Sequence, residues 1–149
     1  MRKILYTFLL MIVLIGCNNQ SMTERMNEID SLVASEQYDS AYVSLIRIDK
    51  SKLIAKEDRA HYYLLLTQTS LLTHHSDTMS MLDSLVIPYY SNVTNHEKLA
   101  EAYYYKAYVE VIKKDFSTAT LCYKNAEEHA MRTSNNRLQF KIAESLSYV

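Results

Sequence analysis

The chain has 149 residues and is almost neutral, with 16 Lys and Arg against 17 Asp and Glu and a formal net charge of −1. This balance lacks the basic excess that is typical of nucleic-acid-binding proteins. Its one glycine is Gly16 and its one proline is Pro88. The sequence beyond residue 16 therefore excludes glycine-rich phosphate loops, Rossmann fingerprints and nucleophile elbows.

Residues 1–17 have the layout of a secretory signal. Arg2 and Lys3 precede a nearly unbroken apolar run over residues 4–15, and polar residues follow. The run is shorter than the roughly 20 apolar residues that a helix needs to cross a bilayer. An uncleaved signal anchor with a chance cysteine is the alternative interpretation.

The leader ends in Leu14-Ile15-Gly16-Cys17. This tetrapeptide resembles the lipobox of bacterial lipoproteins, in which the leader is cut before the cysteine and the thiol carries a diacylglycerol. The resemblance implies a signal peptide over residues 1–16 and a lipidated Cys17 with a short tether over residues 17–21. Cleavage removes two of the 16 cations and leaves 14 against 17 anions, a net charge of −3.

The residue after the lipidated cysteine bears on location. In the lipoprotein family an Asp at that position favours retention in the inner membrane, whereas this chain has Asn18 and no acidic run after it. The resemblance therefore implies a protein of the cell envelope, anchored in the outer membrane and facing the periplasm. Cys122 is then left without an internal partner, and we expect it to pack as a small apolar residue.

Residues 22–149 predict one all-helical domain. Apolar residues recur at intervals of three and four, a spacing that places them along one face of a helix. An example is the series Phe116, Ala119, Tyr123, Ala126 and Ala130. We predict seven helices, at about 22–34, 37–49, 57–73, 78–91, 96–113, 116–132 and 136–148. Pro88 lies late in the fourth and predicts a kink or a shortened helix there.

Side chains with capping potential mark three helix starts. Ser21 with Glu24, and Thr94 with Glu97, have the spacing of a capping box. Asp115 is placed to accept a hydrogen bond from the first turn of the sixth helix. These residues predict helices that begin at about 22, 96 and 116.

An internal sequence repeat groups the helices into hairpins. Tyr38-Asp39-Ser40-Ala41-x3-Leu45-x2-Ile48 matches Phe116-Ser117-Thr118-Ala119-x3-Tyr123-x2-Ala126 at an offset of 78 residues, or two periods of 39. A degenerate middle copy is predicted near Asp77, with Ser80 in place of the small residue. Small residues at these positions let two helices approach closely. An irregular bundle of the same helices is the alternative.

These positions resemble the tetratricopeptide repeat, a helical hairpin of ~34 residues. In the best copy Tyr103 stands where the family has Trp and Ala107 where it has Gly, followed by Ala119 and Tyr123. Three positions depart from the family pattern: Lys106, Glu110 and Met131. The resemblance implies antiparallel hairpins stacked as a right-handed solenoid, with about three and a half repeats over residues 22–149.

The candidate binding residues lie in the Tyr-rich fifth helix. In the repeat family the first helix of each hairpin lines a concave groove, and the register set by Tyr103 then points Glu101, Tyr104 and Tyr108 into it. Tyr104 and Tyr108 are four residues apart and share a face, so we expect an exposed aromatic strip. Core filling is the alternative, and we adopt it for Tyr103 and Tyr123.

Patterns for catalysis or metal binding are weak. His74 and His75 are adjacent, so on a helix they point about 100° apart. Glu127-Glu128-His129 lacks the spacing of a metalloprotease helix. We therefore expect no enzyme activity, no metal, no cofactor and no small-molecule substrate.

The lipobox leader and the Tyr-rich helices together resemble long membrane-tethered repeat proteins of Gram-negative bacteria. Those proteins carry further repeats, a transmembrane helix and a cytoplasmic coiled-coil or DNA-binding tail. The resemblances imply a lipid-anchored scaffold that binds a protein or peptide partner in its concave groove and contacts the membrane through the Cys17 lipid. The alternative is the whole or truncated sensor portion of a membrane-tethered signalling or transcriptional regulator.

Overall fold

The computed structural model describes residues 21–75 and 81–149. Within these ranges every regular element is helical, which confirms the all-helical prediction. The described residues form seven α-helices: α1 (Met22–Ala34), α2 (Tyr38–Ile46), α3 (Lys56–Leu72), α4 (Ile87–Asn92), α5 (His96–Ile112), α6 (Phe116–Ala130) and α7 (Asn136–Leu146). A 3₁₀ turn spans Lys50–Lys52, and a π-helical segment, Leu82–Val86, leads into α4. Among the described helices, none combines the length and apolarity that crossing a membrane requires.

The fourth predicted helix changes type before Pro88. Its predicted start at residue 78, like Asp77 and Ser80 of the middle repeat, lies outside the described residues. In the π-helical segment the Ile87 N–H donates to the Leu82 carbonyl, five residues back. Pro88 then falls in the first turn of α4, which continues the π-helical segment without a break, and its ring nitrogen has no N–H to donate to the preceding turn. The disturbance predicted at the proline is therefore a change of helical register.

Two of the three predicted caps are confirmed. The Glu24 N–H donates to Ser21 Oγ at 3.2 Å, and the Ser21 N–H donates to Glu24 Oε2 at 2.9 Å, so the capping box of α1 is complete. Asp115 Oδ1 accepts from the Thr118 N–H at 3.0 Å and caps α6. Each carboxylate or hydroxyl satisfies a backbone donor that the helix itself leaves free.

The capping box predicted at Thr94 and Glu97 is wrong. Asn95 is the N-cap of α5, and its Oδ1 accepts from the Lys98 N–H at 3.0 Å. Thr94 adopts a left-handed conformation with φ 55° and still belongs to the end of α4, because the Asn95 N–H donates back to the Tyr90 carbonyl. The N-cap therefore lies one residue later than the capping pattern indicates, whereas the helix itself begins at residue 96, as predicted.

Helix α3 packs between two hydrophobic cores. Ala60, Leu64 and Leu71 join the larger core with α4 to α7, whereas Tyr62 and Leu65 join the smaller core with α1 and α2. Since both sides of α3 are covered, its two buried threonines bond within the helix: Thr67 Oγ1 donates to the Tyr63 carbonyl and Thr69 Oγ1 to the Leu65 carbonyl, each at 2.8 Å.

The small residues of the internal sequence repeat lie where helices meet. Ala41 and Ala119 are both 0% exposed, which agrees with the role predicted for them. Phe116, the first residue of the predicted α6 stripe, is 51% exposed, because the stripe is buried only from Ala119 onward. Each described helix contacts the next one along the chain, and three further contacts join α1 to α3, α3 to α5 and α5 to α7. This second set of contacts brings four helices around one space.

Candidate functional site

Helices α1, α3, α5 and α7 surround a cavity of about 460 Å³. Its wall is formed by alternate helices and the turns beside them, with Tyr38 of α2 as the exception. The cavity is polar as well as apolar, with three carboxylates and three cations in its lining: Asp30, Glu36 and Glu101, and Lys98, Arg137 and Lys141. We call this space the central cavity.

Each carboxylate of the central cavity has one positively charged or imidazole partner. Lys98 Nζ lies 3.0 Å from Glu101 Oε2 on the same helix. Asp30 Oδ1 lies 3.0 Å from the imidazole Nε2 of His61 on α3. Arg137 at the start of α7 pairs with Glu36 after α1, so an ion pair joins the first and the last described helices.

The third cation, Lys141, differs from the other two. Among residues 21–75 and 81–149, no carboxylate lies within ion-pair distance of it. Its ammonium lies 4.6 Å from the ring centroid of Tyr104 and 5.3 Å from that of Tyr105, and 3.5 Å from the Tyr105 hydroxyl. Burial lowers the pKa of Lys141, and the Arg137 charge lowers it further. The cavity therefore holds a half-buried ammonium over two aromatic faces.

Two phenols of the central cavity remain neutral at physiological pH. Burial raises the pKa of Tyr105 well above its ordinary value, and the Glu101 charge adds to this effect. Burial also raises the pKa of Tyr38, with a further contribution from Glu36. Both hydroxyls therefore act as uncharged donors and acceptors rather than as phenolates.

The three predicted groove residues are separated by the structure. Glu101 lines the central cavity, whereas Tyr104 and Tyr108 do not. Tyr104 is only 6% exposed, so the predicted exposed strip is wrong at this position. Helix α7 covers the ring, since Lys141 lies over it and Ser145 Oγ is 3.5 Å from its hydroxyl. Tyr108 is half-buried against the larger core.

Tyr105 is the aromatic residue that the sequence reasoning missed. It lies four residues after Glu101, and residues four apart share a helix face. The same spacing rule that paired Tyr104 with Tyr108 could therefore have paired Glu101 with Tyr105. Gln68 of α3 was also missed, and its position in the cavity follows from contacts between helices that a local pattern does not contain.

Other chemistry-bearing residues lie apart from the central cavity. Cys17, the predicted lipid attachment site, lies outside the described residues. Cys122 is a free thiol, 4% exposed, and burial raises its pKa, so it packs as an apolar residue as expected. No group of three or more metal-ligating side chains converges in the part of the chain that the structure describes. Comparisons of the chain with protein-family models, curated proteins and solved structures found no match.

Proposed function

We propose that this protein is a lipid-anchored helical-repeat scaffold of the cell envelope that binds a protein or peptide partner around its central cavity. The observation that supports this most is the lining of the cavity by α1, α3, α5 and α7. Alternate helices face one side when helical hairpins stack in a row, and stacked repeats use that side for binding.

The pairing of helices supports a tetratricopeptide-like stack. Helices α1 and α2, α3 and α4, and α5 and α6 form three successive pairs, and α7 stands as the first helix of a fourth. The equivalent small residues of the first and third pairs, Ala41 and Ala119, are fully buried. A right-handed solenoid of about three and a half repeats accommodates both features.

The anchor proposed for this scaffold is the lipid on Cys17. Four residues, 18–21, separate that cysteine from α1. A fully extended tether of this length spans ~13 Å at ~3.3 Å per residue. A partner bound at the central cavity would therefore lie close to the bilayer, which we propose is the periplasmic face of the outer membrane.

Site-specific photo-crosslinking tests the scaffold function. A photoreactive amino acid replaces Gln68, whose side chain lines the cavity and makes no hydrogen bond within the described part of the chain. The matched control carries the same group at Lys124, which is exposed on α6. In intact envelopes we expect a discrete adduct from position 68 and none of the same mass from position 124. Identical adducts at both positions, or no adduct at position 68, would contradict the proposal.

A further inference from the structure

We propose that the central cavity also binds a small zwitterion, a molecule with one carboxylate and one ammonium group, such as a free α-amino acid or a dipeptide. This inference goes beyond the scaffold function and does not depend on it, because the ligand is not the protein partner. It rests on the arrangement of charges around the cavity.

The charges of the lining are balanced. Three carboxylates and three cations face the same space of about 460 Å³, a volume within the roughly 300–1,000 Å³ of small-molecule sites. A purely anionic ligand would face the three carboxylates, and a purely cationic ligand would face the three cations. A molecule that carries both charges can place each one beside its opposite, which is how charged sites discriminate between ligands.

Lys141 is the residue that would hold the carboxylate. Its ammonium has three donors, and the hydroxyl of Tyr105 at 3.5 Å is its nearest hydrogen-bond partner. Because the ammonium is half-buried over aromatic rings and lacks a carboxylate partner, an incoming carboxylate would gain a charge-assisted hydrogen bond in a partly dehydrated site. The lowered pKa of Lys141 is consistent with an ammonium that lacks such a partner.

Glu101 and Asp30 would hold the ammonium. One oxygen of Glu101 accepts from Lys98 and one oxygen of Asp30 contacts His61, each at 3.0 Å. A carboxylate can accept about four hydrogen bonds, so both groups keep acceptor capacity. The amide of Gln68 lies in the same wall and has a free donor and acceptor for the polar middle of the ligand.

The exposed end of the cavity limits the size of the ligand. Glu36 and Arg137 have side chains that are 58% and 74% exposed, and their ion pair joins the turn after α1 to the start of α7. Both residues line the cavity, so the pair lies at its solvent side. We therefore expect a ligand of one or two residues, which the cavity volume of about 460 Å³ accommodates, rather than a longer peptide.

The test is a binding screen on the full-length protein, purified in detergent in the form in which cells produce it. Free α-amino acids and dipeptides are added singly at millimolar concentration, and thermal melts are recorded. We expect at least one of them to raise the melting temperature. The N-acetyl and C-terminal amide derivatives of that compound, which each lack one charge, should bind roughly tenfold or more weakly in a calorimetric titration.

Two variants assign the binding to the cavity. Lys141→Met keeps the length of the side chain without the ammonium, and Glu101→Gln removes the carboxylate charge; both should weaken binding of the zwitterion. Lys124→Met, on the exposed face of α6, should bind like the wild type. A screen with no stabilising zwitterion, derivatives that bind as well as the parent, or wild-type binding by both cavity variants would overturn the proposal. Circular dichroism of each variant verifies that it is folded.

Discussion

His96 and His129 contact each other through their Nδ1 atoms, which lie 3.0 Å apart. The contact joins the first turn of α5 to the last turn of α6. The ring centroids are 5.3 Å apart and the ring planes differ by 26°, which suits an N–H···N hydrogen bond. Such a bond requires one nitrogen to be a donor and the other an acceptor, so protonation of both rings at Nδ1 breaks it.

The stability of the protein should therefore fall in mild acid. Burial lowers the pKa of His129 below its ordinary value of 6.5, and the neighbouring His96 lowers it further. A group with a lowered pKa in the folded state binds protons better when unfolded, so its contribution is intact above pH ~6.5 and is lost as the pH falls toward the folded-state pKa. Urea unfolding at a series of pH values measures this loss.

The matched variants for this prediction are His129→Gln and His74→Asn. The first should flatten the dependence of unfolding free energy on pH, because the titrating ring is gone. The second changes an exposed histidine in a left-handed conformation that Asn tolerates, and it should leave the dependence unchanged. If His129→Gln keeps the full acid sensitivity, another group is responsible.

The helices could be predicted from sequence because each one has a local pattern. Met26 and Ile29 of α1, and Ala41 and Leu45 of α2, are spaced three and four apart and are buried. No local sequence pattern of this kind predicts which residues line the central cavity. Whether Tyr104 or Tyr105 faces the cavity depends on how α7 packs across α5, and this is a long-range contact that periodicity does not contain.

Helix ends were harder to predict because the described residues contain no glycine. Four helices nevertheless end at a residue in the left-handed region: Glu36, His74, Thr94 and Lys114, with φ between 55° and 65°. In each case the next residue donates to a carbonyl five positions back, which is the Schellman arrangement. The absence of glycine therefore does not mean that positive φ angles are absent. Thr94 was predicted to be the N-cap of α5, but it is one of these left-handed residues at the end of α4.

Thr94→Gly should stabilise the protein. A left-handed conformation costs an L-residue roughly 1–2 kcal/mol, and a β-branched residue is poorly suited to it. Part of the gain is offset because glycine is more flexible when unfolded, so we expect a net gain of about 0.5–1 kcal/mol in the free energy of unfolding. Denaturant unfolding measures it.

Ser91→Gly is the control for that substitution. Ser91 is exposed and lies within α4, so glycine there should destabilise by about 0.5 kcal/mol, which is the difference in helix propensity. Opposite signs at two positions three residues apart would show that backbone conformation, and not side-chain loss, is the cause. Destabilisation by Thr94→Gly would contradict the account of the helix end.

Ala119→Leu should lower the free energy of unfolding by about 1–3 kcal/mol, because added methylenes have no space between packed helices. Ala119 is 0% exposed where α6 meets its neighbours. Lys124→Leu adds a leucine to the exposed face of the same helix and should change stability by no more than about 0.5 kcal/mol. Equal losses in thermal melts at the two positions would mean that the repeat register is misplaced.

Cys17 should carry acyl chains in cells. The prediction rests on the lipobox resemblance of Leu14-Ile15-Gly16-Cys17, and the measurement is metabolic labelling with a palmitate analogue. Cys17→Ser should lose the label and accumulate in uncleaved or soluble form. Cys122→Ser is the control, since that thiol is buried in the larger core and should not be acylated. Labelling of Cys17→Ser at the wild-type level would remove the basis for the lipid anchor.

Tyr104 should contribute to folding rather than to a free binding surface. Its ring lies 5.6 Å from the ring of Tyr123 and is covered by α7. Tyr104→Ala should therefore lower the free energy of unfolding by about 3–5 kcal/mol, as for other buried aromatic truncations. Tyr104→Phe should change it by no more than about 1 kcal/mol, because the contact from Ser145 Oγ to its hydroxyl is as long as 3.5 Å. Denaturant unfolding distinguishes the two variants.

Tyr108 is the member of the predicted strip that can still be tested for binding. It is half-buried at the edge of the larger core, so Tyr108→Ala should cost less stability than Tyr104→Ala and leave the protein folded. If the photo-crosslinked adduct at position 68 is lost in folded Tyr108→Ala, the binding surface extends beyond the cavity along α5. If the adduct persists there and is lost in folded Glu101→Gln, binding is confined to the central cavity, and the register predicted for the groove was wrong for both tyrosines.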